Sequence, residues 1–397
     1  MITVKLKDIT LNITDGKHGD CESEDNSGFY FISCKDVYDG SIHYQGARQI
    51  TERAYLDTHK RTMLEPNDIL VTNSGTIGRM ALVKNVPETH RTTFQKSVAI
   101  VKPNQEIIRP EYLYYSLLNC VNQFVNQSNG SAQKNLLLGT MREFQLCIEE
   151  RLEQQDKIAN VLRSYDDFIE NNQKQIKFLE EAAQRLYKEW FIDLRFPGYE
   201  DTPIVDGVPE GWKKDTLSEI CYLKKNTISI EDVAPNTPYI GLEHMPRVDF
   251  CLSTWGTLGD VSSNKFSYEA DDIIFGKIRP YFHKVGFALN NGIVSTDSFV
   301  MKAEDGFWGF LLMTVFSKAF VDYSYQTCKE GAKMPRADWN QMKQYPVVIP
   351  DVQTRGCFEK NIWNITRKVK GLASQNRLLA EARDRLLPKL MSGELEV

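Results

Sequence analysis

Polar residues crowd into six short stretches of this 397-residue chain. In TNSGTIGR (72–79) they are Asn73, Ser74, Thr76 and Arg79. TFQKS (93–97) brings Gln95 and Lys96, and SAQKN (131–135) brings Gln133, Lys134 and Asn135. GKIRPYFHK (276–284) brings Lys277, Arg279, Tyr281, His283 and Lys284. Thr296, Asp297 and Ser298 follow, then Lys333 and Arg336 in GAKMPR (331–336). Arg and Lys suit guanine, Asn and Gln suit adenine, and Lys also suits phosphate. Gly75 and Gly78 permit close backbone approach. Each stretch has a plainer reading. SGTIG is equally a hairpin turn, Gln95 and Thr296 are equally core buttresses, and His283 reads as a packed or surface histidine. Lys134 and Lys333 recur beside a glycine at the same place, which favours phosphate contact over idle solvation.

Catalytic spacing is missing. SGTIGRMAL lacks the spacing and the lysine of a phosphate loop, and neither GxGxxG nor HExxH occurs. The six histidines (18, 43, 59, 90, 244, 283) are dispersed, so no triad or metal cluster is expected. No Asn/Asp-Pro-Pro-aromatic segment is present to grip a nitrogen for methyl transfer, and Asp351 with Glu359 lacks a nuclease's strand context. The chain reads as a binder and organiser without catalytic residues, metal or cofactor of its own.

Bulk properties agree. A composition of 42% hydrophobic and 25% charged residues at this length suggests two or three domains. No apolar run approaches the roughly 18–20 residues that span a bilayer. The start, MITVKLKDITLNIT, alternates and shows no apolar signal core. Eight cysteines without a CxxC pair point to free thiols in a reducing cytoplasm. The net charge of −5 is awkward for a nucleic-acid binder, since phosphate neutralisation supplies most non-specific affinity. A local basic face or a basic partner would resolve it.

These loops are spaced by a duplication. QIKFLEEAAQRLYKEW (175–190) is echoed by QNRLLAEARDRLLPKL (375–390). GSAQKNLLLGTMREFQLCI (130–148) lines up with GAKMPRADWNQMKQYPVVI (331–349), and DILVTNSGTIGRMALV (68–83) with DIIFGKIRPYFHKVGFAL (272–289). KSVAIVKP (96–103) matches DSFVMKAE (297–304), FYFISCKDV (29–37) matches TPYIGLEHM (237–245), and KLKDI (5–9) matches TLSEI (216–220). The expected plan is α+β: two β-rich heads, 1–150 and 212–350, and two long helices, 151–194 and 351–397. A Pro- and Gly-rich linker, 195–211, separates the halves. A tandem duplication of this size predicts pseudo-two-fold symmetry.

The helices carry matching seams. Ile158, Leu162, Tyr165, Ile169, Asn172, Ile176, Leu179, Ala183, Leu186 and Trp190 advance in steps of four and three. So do Phe358, Ile362, Ile365, Val369, Leu372, Asn376, Leu379, Arg383, Leu386 and Leu390, the pattern of a coiled coil. Folded antiparallel about their midpoints, the helices place Asn172 opposite Asn376, where two lone polar residues would set register. The alternative leaves each Asn solvated at a frayed seam. Arg383 must snorkel or find a carboxylate. A bar of two such helices would hold two heads at a separation suited to half-sites about one DNA turn, roughly 34–36 Å, apart.

In its order of parts the chain resembles the specificity (S) subunit of type I restriction–modification systems. TNSGTIGRMALV, DIIFGKIRPYFHKVGFA and GSAQKNL or GAKMPR leading into a strand carry the likeness. EQQDKIANVL (153–162), VPEGWKKDTLSEI (208–220) and RLLPKLMSGEL (385–395) complete it. The resemblance covers essentially the whole chain. It implies two target-recognition domains that each read half of a split, asymmetric double-stranded DNA site. It implies an antiparallel helical spacer that docks two methyltransferase (M) subunits, with restriction (R) subunits joining them. AdoMet, ATP and Mg²⁺ would then serve those partners, and no membrane is involved. The second head replaces SGTIG with KIRPY, so contacts do not transfer one to one. Two other classes stay open: a coiled-coil adaptor whose heads bind proteins, and an enzyme with an unfamiliar site.

Overall fold

The computed structural model describes residues 1–128, 135–257, 259, 263–329 and 333–397. It is mixed helix and sheet, 43% helical and 23% strand. The chain divides into two compact units, Met1–Phe168 with Leu379–Val397, and Ile169–Leu378. The divisions fall inside the two long helices, Leu152–Tyr187 and Val352–Ser392. Among the described residues no helix is long and apolar enough to cross a membrane.

In the first unit an antiparallel sheet runs in the order Thr10–Asp15, Val98–Pro103, Ile69–Thr72, Met80–Leu82. Strand Ile69–Thr72 is apolar at successive positions because both its faces are covered. Ile69 and Val71 pack with Tyr112 and Leu113 of helix Pro110–Asn119, while Leu70 packs with Ile32, Phe94 and Ile100. The second unit repeats the design in a sheet ordered Cys221–Leu223, Ser298–Ala303, Ile273–Gly276, Val285–Ala288, Cys251–Leu252. Ile273 and Phe275 face Phe310 and Phe316, and Ile274 faces Ile240 and Val300. Each such side chain contributes about 1.5–3 kcal/mol on full burial.

The duplication is visible bond by bond. Asn73 N–H donates to the Ser97 carbonyl, and Lys277 N–H to that of Asp297. Leu136 N–H donates to the Asn73 carbonyl, and Ala337 N–H to that of Lys277. Ser74 bridges Asn135 as Ile278 bridges Arg336. A buried acid recurs below each hairpin. Asp68 accepts the Glu65 N–H and pairs with Lys102 at 2.7 Å; Asp272 accepts the Glu269 N–H and pairs with Lys302 and Lys224, each at 3.3 Å.

One match from the sequence is out of register. Thr72 pairs with Val98, and Gly276 pairs with Ser298, so Ser298 corresponds to Val98 and Asp297 to Ser97. Pairing KSVAIVKP with DSFVMKAE is one residue off, and a one-residue slip moves every side chain to the other face. The segment 195–211 also does more than link. It contains the hairpin Ile204–Val205 with Val208–Pro209, and the Phe196 ring packs, tilted, against the buried Trp212 with centroids 4.6 Å apart.

The long helices run antiparallel within each unit. In the first, Gln154 donates to the Val397 carbonyl at 2.7 Å, and Asp166 meets Arg383. Leu387, Leu390 and Met391 are buried in the first unit's core. In the second unit Trp190 packs on Phe358 at 5.8 Å, and Asn172 Nδ2 donates to Asn376 Oδ1 at 2.9 Å and to Gln375 Oε1 at 3.2 Å. Asn172 is buried, and around it the seam is only half-buried, as at Ile169, Ile176 and Leu372. Arg383 finds Asp166 and Asp384, and Tyr115 O–H donates to Asp166 at 2.6 Å.

The helices also hold the heads' local structure. Buried Gln155 accepts the Arg109 N–H at 2.8 Å, where helix Pro110–Asn119 begins. Glu359 accepts the Gly309 and Phe310 N–H groups at 2.7 and 2.8 Å in the first turn of helix Trp308–Phe316. Such caps satisfy donors that have no intrahelical partner. Glu180 accepts the Phe250 N–H at 3.0 Å. Burial, reinforced by nearby Asp249, pushes the Glu180 carboxyl up to about 8.

Two predictions follow from these contacts. Asn172→Leu alone strands the Asn376 amide and lowers unfolding stability by about 1–3 kcal/mol. Adding Asn376→Leu recovers that loss and more, because a paired polar layer sets register at the expense of stability. Urea denaturation reads both, and equal midpoints for the wild type and the double variant would sink the pairing. Glu180 binds its proton more tightly folded than unfolded. Its contribution to stability is therefore intact below the unfolded value, near 4.5, and is lost as pH rises toward 8. Glu180→Gln should flatten that loss, on the order of a few kcal/mol, in thermal melts between pH 5 and 8.5.

Candidate nucleic-acid interface

In the first head the polar loop leaves the sheet where strand Ile69–Thr72 ends. The Thr72 hydroxyl closes it, accepting the Arg79 N–H at 2.9 Å and donating to the Thr76 carbonyl. Gly75 and Gly78 take left-handed φ values of +80° and +86°. A Cβ on Gly78 would lie 2.7 Å from Val121 Cγ1, so that position needs glycine for space as well as angle. Thr76, Arg79, Lys96 and Asn135 are exposed, with Ser74 and Gln95 half-buried. The Ser74–Asn135 bridge joins two of the sequence's polar stretches, and Lys17 binds a third through its backbone bridge to Gln95. Gln133 and Lys134 lie outside the described residues.

Asn73 requires a correction. It is 4% exposed, and its Oδ1 has no hydrogen-bond partner among the described residues. Its backbone ties Ser97 to Leu136, which carries the side chain below the surface.

The second head keeps this framework and fills it differently. Arg336 is exposed and pairs with Asp297 at 2.8 Å. Thr296, Tyr281 and Lys333 are also exposed. Tyr281 stands edge-on to Phe282 and Tyr325, with centroids 4.8 and 5.3 Å away.

Three residues expected to reach nucleic acid turn inward. Ser298 is fully buried, as the register of its strand demands. Lys277 Nζ donates to the Thr296 carbonyl at 2.6 Å and lies over the rings of Phe299 (4.6 Å) and Phe266 (5.3 Å). Burial holds its ammonium below the ordinary lysine value. Lys284 Nζ donates to the Leu242 carbonyl, and burial lowers it likewise. These two lysines brace the loops from within.

Around the same hairpin loop, Arg279 and His283 take φ values of +50° and +52°. His283 Nε2 lies 2.8 Å from the Phe316 carbonyl, which can only accept, so Nε2 carries the proton and the packed reading holds. Sequence reasoning missed Arg247. Its guanidinium sits 4.1 Å from the centre of the Phe282 ring, and Arg279 is 5.8 Å from the same ring. The available signal was the match of FYFISCKDV with TPYIGLEHM: carried two residues further, it sets Arg247 opposite Asp39.

Comparison with known proteins agrees with this architecture. Residues 2–181 match the family described as Type I restriction modification DNA specificity domain. The chain is 27% identical over 389 residues to the Type I restriction enzyme MjaIX specificity subunit of Methanocaldococcus jannaschii, covering 92% of this chain and 87% of that protein. It is 21% identical over 373 residues to the HindI specificity subunit of Haemophilus influenzae, covering 75% and 80%. In structure it is similar to a type I restriction–modification S subunit from M. genitalium, with a TM-score of 0.58 at 14% identity over 98% of this chain and 95% of the other. A duplicated hairpin framework, paired long helices and relatives matched over most of their length point one way: residues 2–181 match the DNA specificity domain of type I restriction–modification systems, and the chain is similar over most of its length to type I restriction enzyme specificity subunits.

Proposed function

We propose that this chain is a specificity subunit whose two heads each read one half of a bipartite, asymmetric double-stranded DNA target. One observation carries this reading: the same backbone framework is built twice, with different side chains at matched positions. Where the first head presents Ser74 and Asn135, the second presents Ile278 and Arg336. Amide and guanidinium groups favour different base edges, so two heads of one design read different halves. The helices set the spacing between the halves and dock two methyltransferase subunits, which restriction subunits join. Phe168 and Phe178 support the docking role, since each leaves more than half its surface in solvent on the central helix. AdoMet, ATP and Mg²⁺ act on those partners. The partners also add cationic surface, which answers the chain's net charge of −5. Eight unpaired cysteines suit a reducing cytoplasm.

A map of N6-methyladenine across the source genome, with this gene intact and deleted, tests the proposal. Methylation should vanish at one split motif, two short specific halves around a fixed gap, when the gene is removed. An unchanged map in cells that express the intact complex would overturn it.

A further inference from the structure

Three left-handed turns of the first head recur in the second without their glycines. Gly75 lies two residues past Asn73, and Arg279 lies two past the corresponding Lys277. Gly78 precedes Arg79, whose carbonyl accepts the Thr72 N–H, and His283 precedes Lys284, whose carbonyl accepts the Gly276 N–H. Gly40 stands four residues past the turn Cys34–Asp36, and Val248 stands four past the turn Leu242–His244. The φ values are +80°, +86° and +70° for the glycines, against +50°, +52° and +66° for Arg279, His283 and Val248. Glycine adopts this region freely, whereas other L-residues meet a steric penalty there, most of all a β-branched valine. The replacements are neighbours: Val248 N–H donates to the His283 carbonyl at 3.2 Å, and Phe282 N–H to that of Arg279 at 2.8 Å. Strain gathered at three neighbouring positions where the sister head has glycine marks a site whose side chains are needed.

Two guanidiniums are what these turns deliver. Arg247, beside Val248, lies 4.1 Å from the Phe282 ring, and Arg279 lies 5.8 Å from it. Among the described residues neither makes an ion pair, unlike Arg336 with Asp297 or Arg48 with Asp20. Packing against a ring restricts the orientation of a guanidinium. Lys284 adds positive potential close by, and Glu243 is the carboxylate that acts on it. An acidic chain that holds two unpaired arginines on one aromatic ring presents a site for an acceptor.

We propose that Arg279, braced with Arg247 against Phe282, reads a guanine in the half-site taken by the second head. This deepens the function proposed above and rests on it. Guanine offers O6 and N7 side by side in the major groove, the acceptor pair that fits a bidentate fork. A phosphate contact needs charge but no fixed plane, and would not justify a strained backbone. The first head has only Gly75 at the equivalent place, so this contact belongs to the second half-site alone.

Arg279→Gly tests this without threatening the fold, because glycine takes φ +50° without strain. The full-length variant would be assembled with its methyltransferase subunits and bound to duplexes carrying the mapped target. Each base pair of the second half-site would be replaced in turn, with 7-deazaguanine at every guanine. The variant complex should melt no lower than wild type. Its discrimination at one guanine should fall by about 10- to 100-fold, with the first half-site read as before. Arg279→Lys, which keeps the charge and loses the fork, should lose most of the same discrimination. Unchanged discrimination would overturn the assignment. So would an equal loss on all sequences with a shallower salt dependence, the behaviour of a phosphate contact. A wild-type complex with no sequence preference would remove the underlying function and this inference with it.

Discussion

Strands Ile69–Thr72 and Ile273–Gly276 are covered on both faces, and their period of two allows no slip by a single residue. That double burial fixes where each hairpin ends, and so which residues leave the sheet as a loop. The acids Asp68 and Asp272 pin the start of these strands through N–H groups and lysines. Backbone bonds from Asn73 and Lys277 then hold the emerging loop against two other segments. Everything exposed at this end of a head is positioned by residues that are not exposed. The loops can therefore change their chemistry while the framework stays the same.

The helices were the most legible part of the sequence. A repeat of four and three, carried twice, implied antiparallel pairing, and the seam asparagines do meet. The seam itself is narrower than its pattern, since a pair of helices covers only one stripe of each, and its middle stays half-buried. The heads were legible as a duplication down to single hydrogen bonds, except for one strand. KSVAIVKP and DSFVMKAE each carry an unbroken apolar run, VAIV and FVM, without alternation, so hydrophobicity alone could not choose between adjacent registers. The structure chooses through Val98 and Ser298, which meet equivalent partners.

Loop chemistry was the least legible. Lysine in a polar loop suggests solvent or phosphate, yet Lys277 and Lys284 find carbonyls and aromatic rings inside their own head. Asn73 looked like a reader of bases and serves through its backbone. Arg247 looked ordinary because its partner ring, Phe282, is remote in sequence and is brought close by the fold. Side chains of mixed character declare their role only when the tertiary neighbours are known.

The first unit includes the last stretch of the chain, with Leu387, Leu390 and Met391 in its core, whereas the second is one continuous segment, Ile169–Leu378. On a ribosome that adds roughly 5–20 residues per second, the earlier-made head waits on the order of ten seconds or more for the strip that closes it. The head translated second can complete its core before the one translated first. A chain that stopped just before Leu379 would carry a finished second head beside an open first one, its apolar interior uncovered. Such a product is a natural client for chaperones and proteases, because the first head's core is closed only by residues made more than 200 positions after its own sheet.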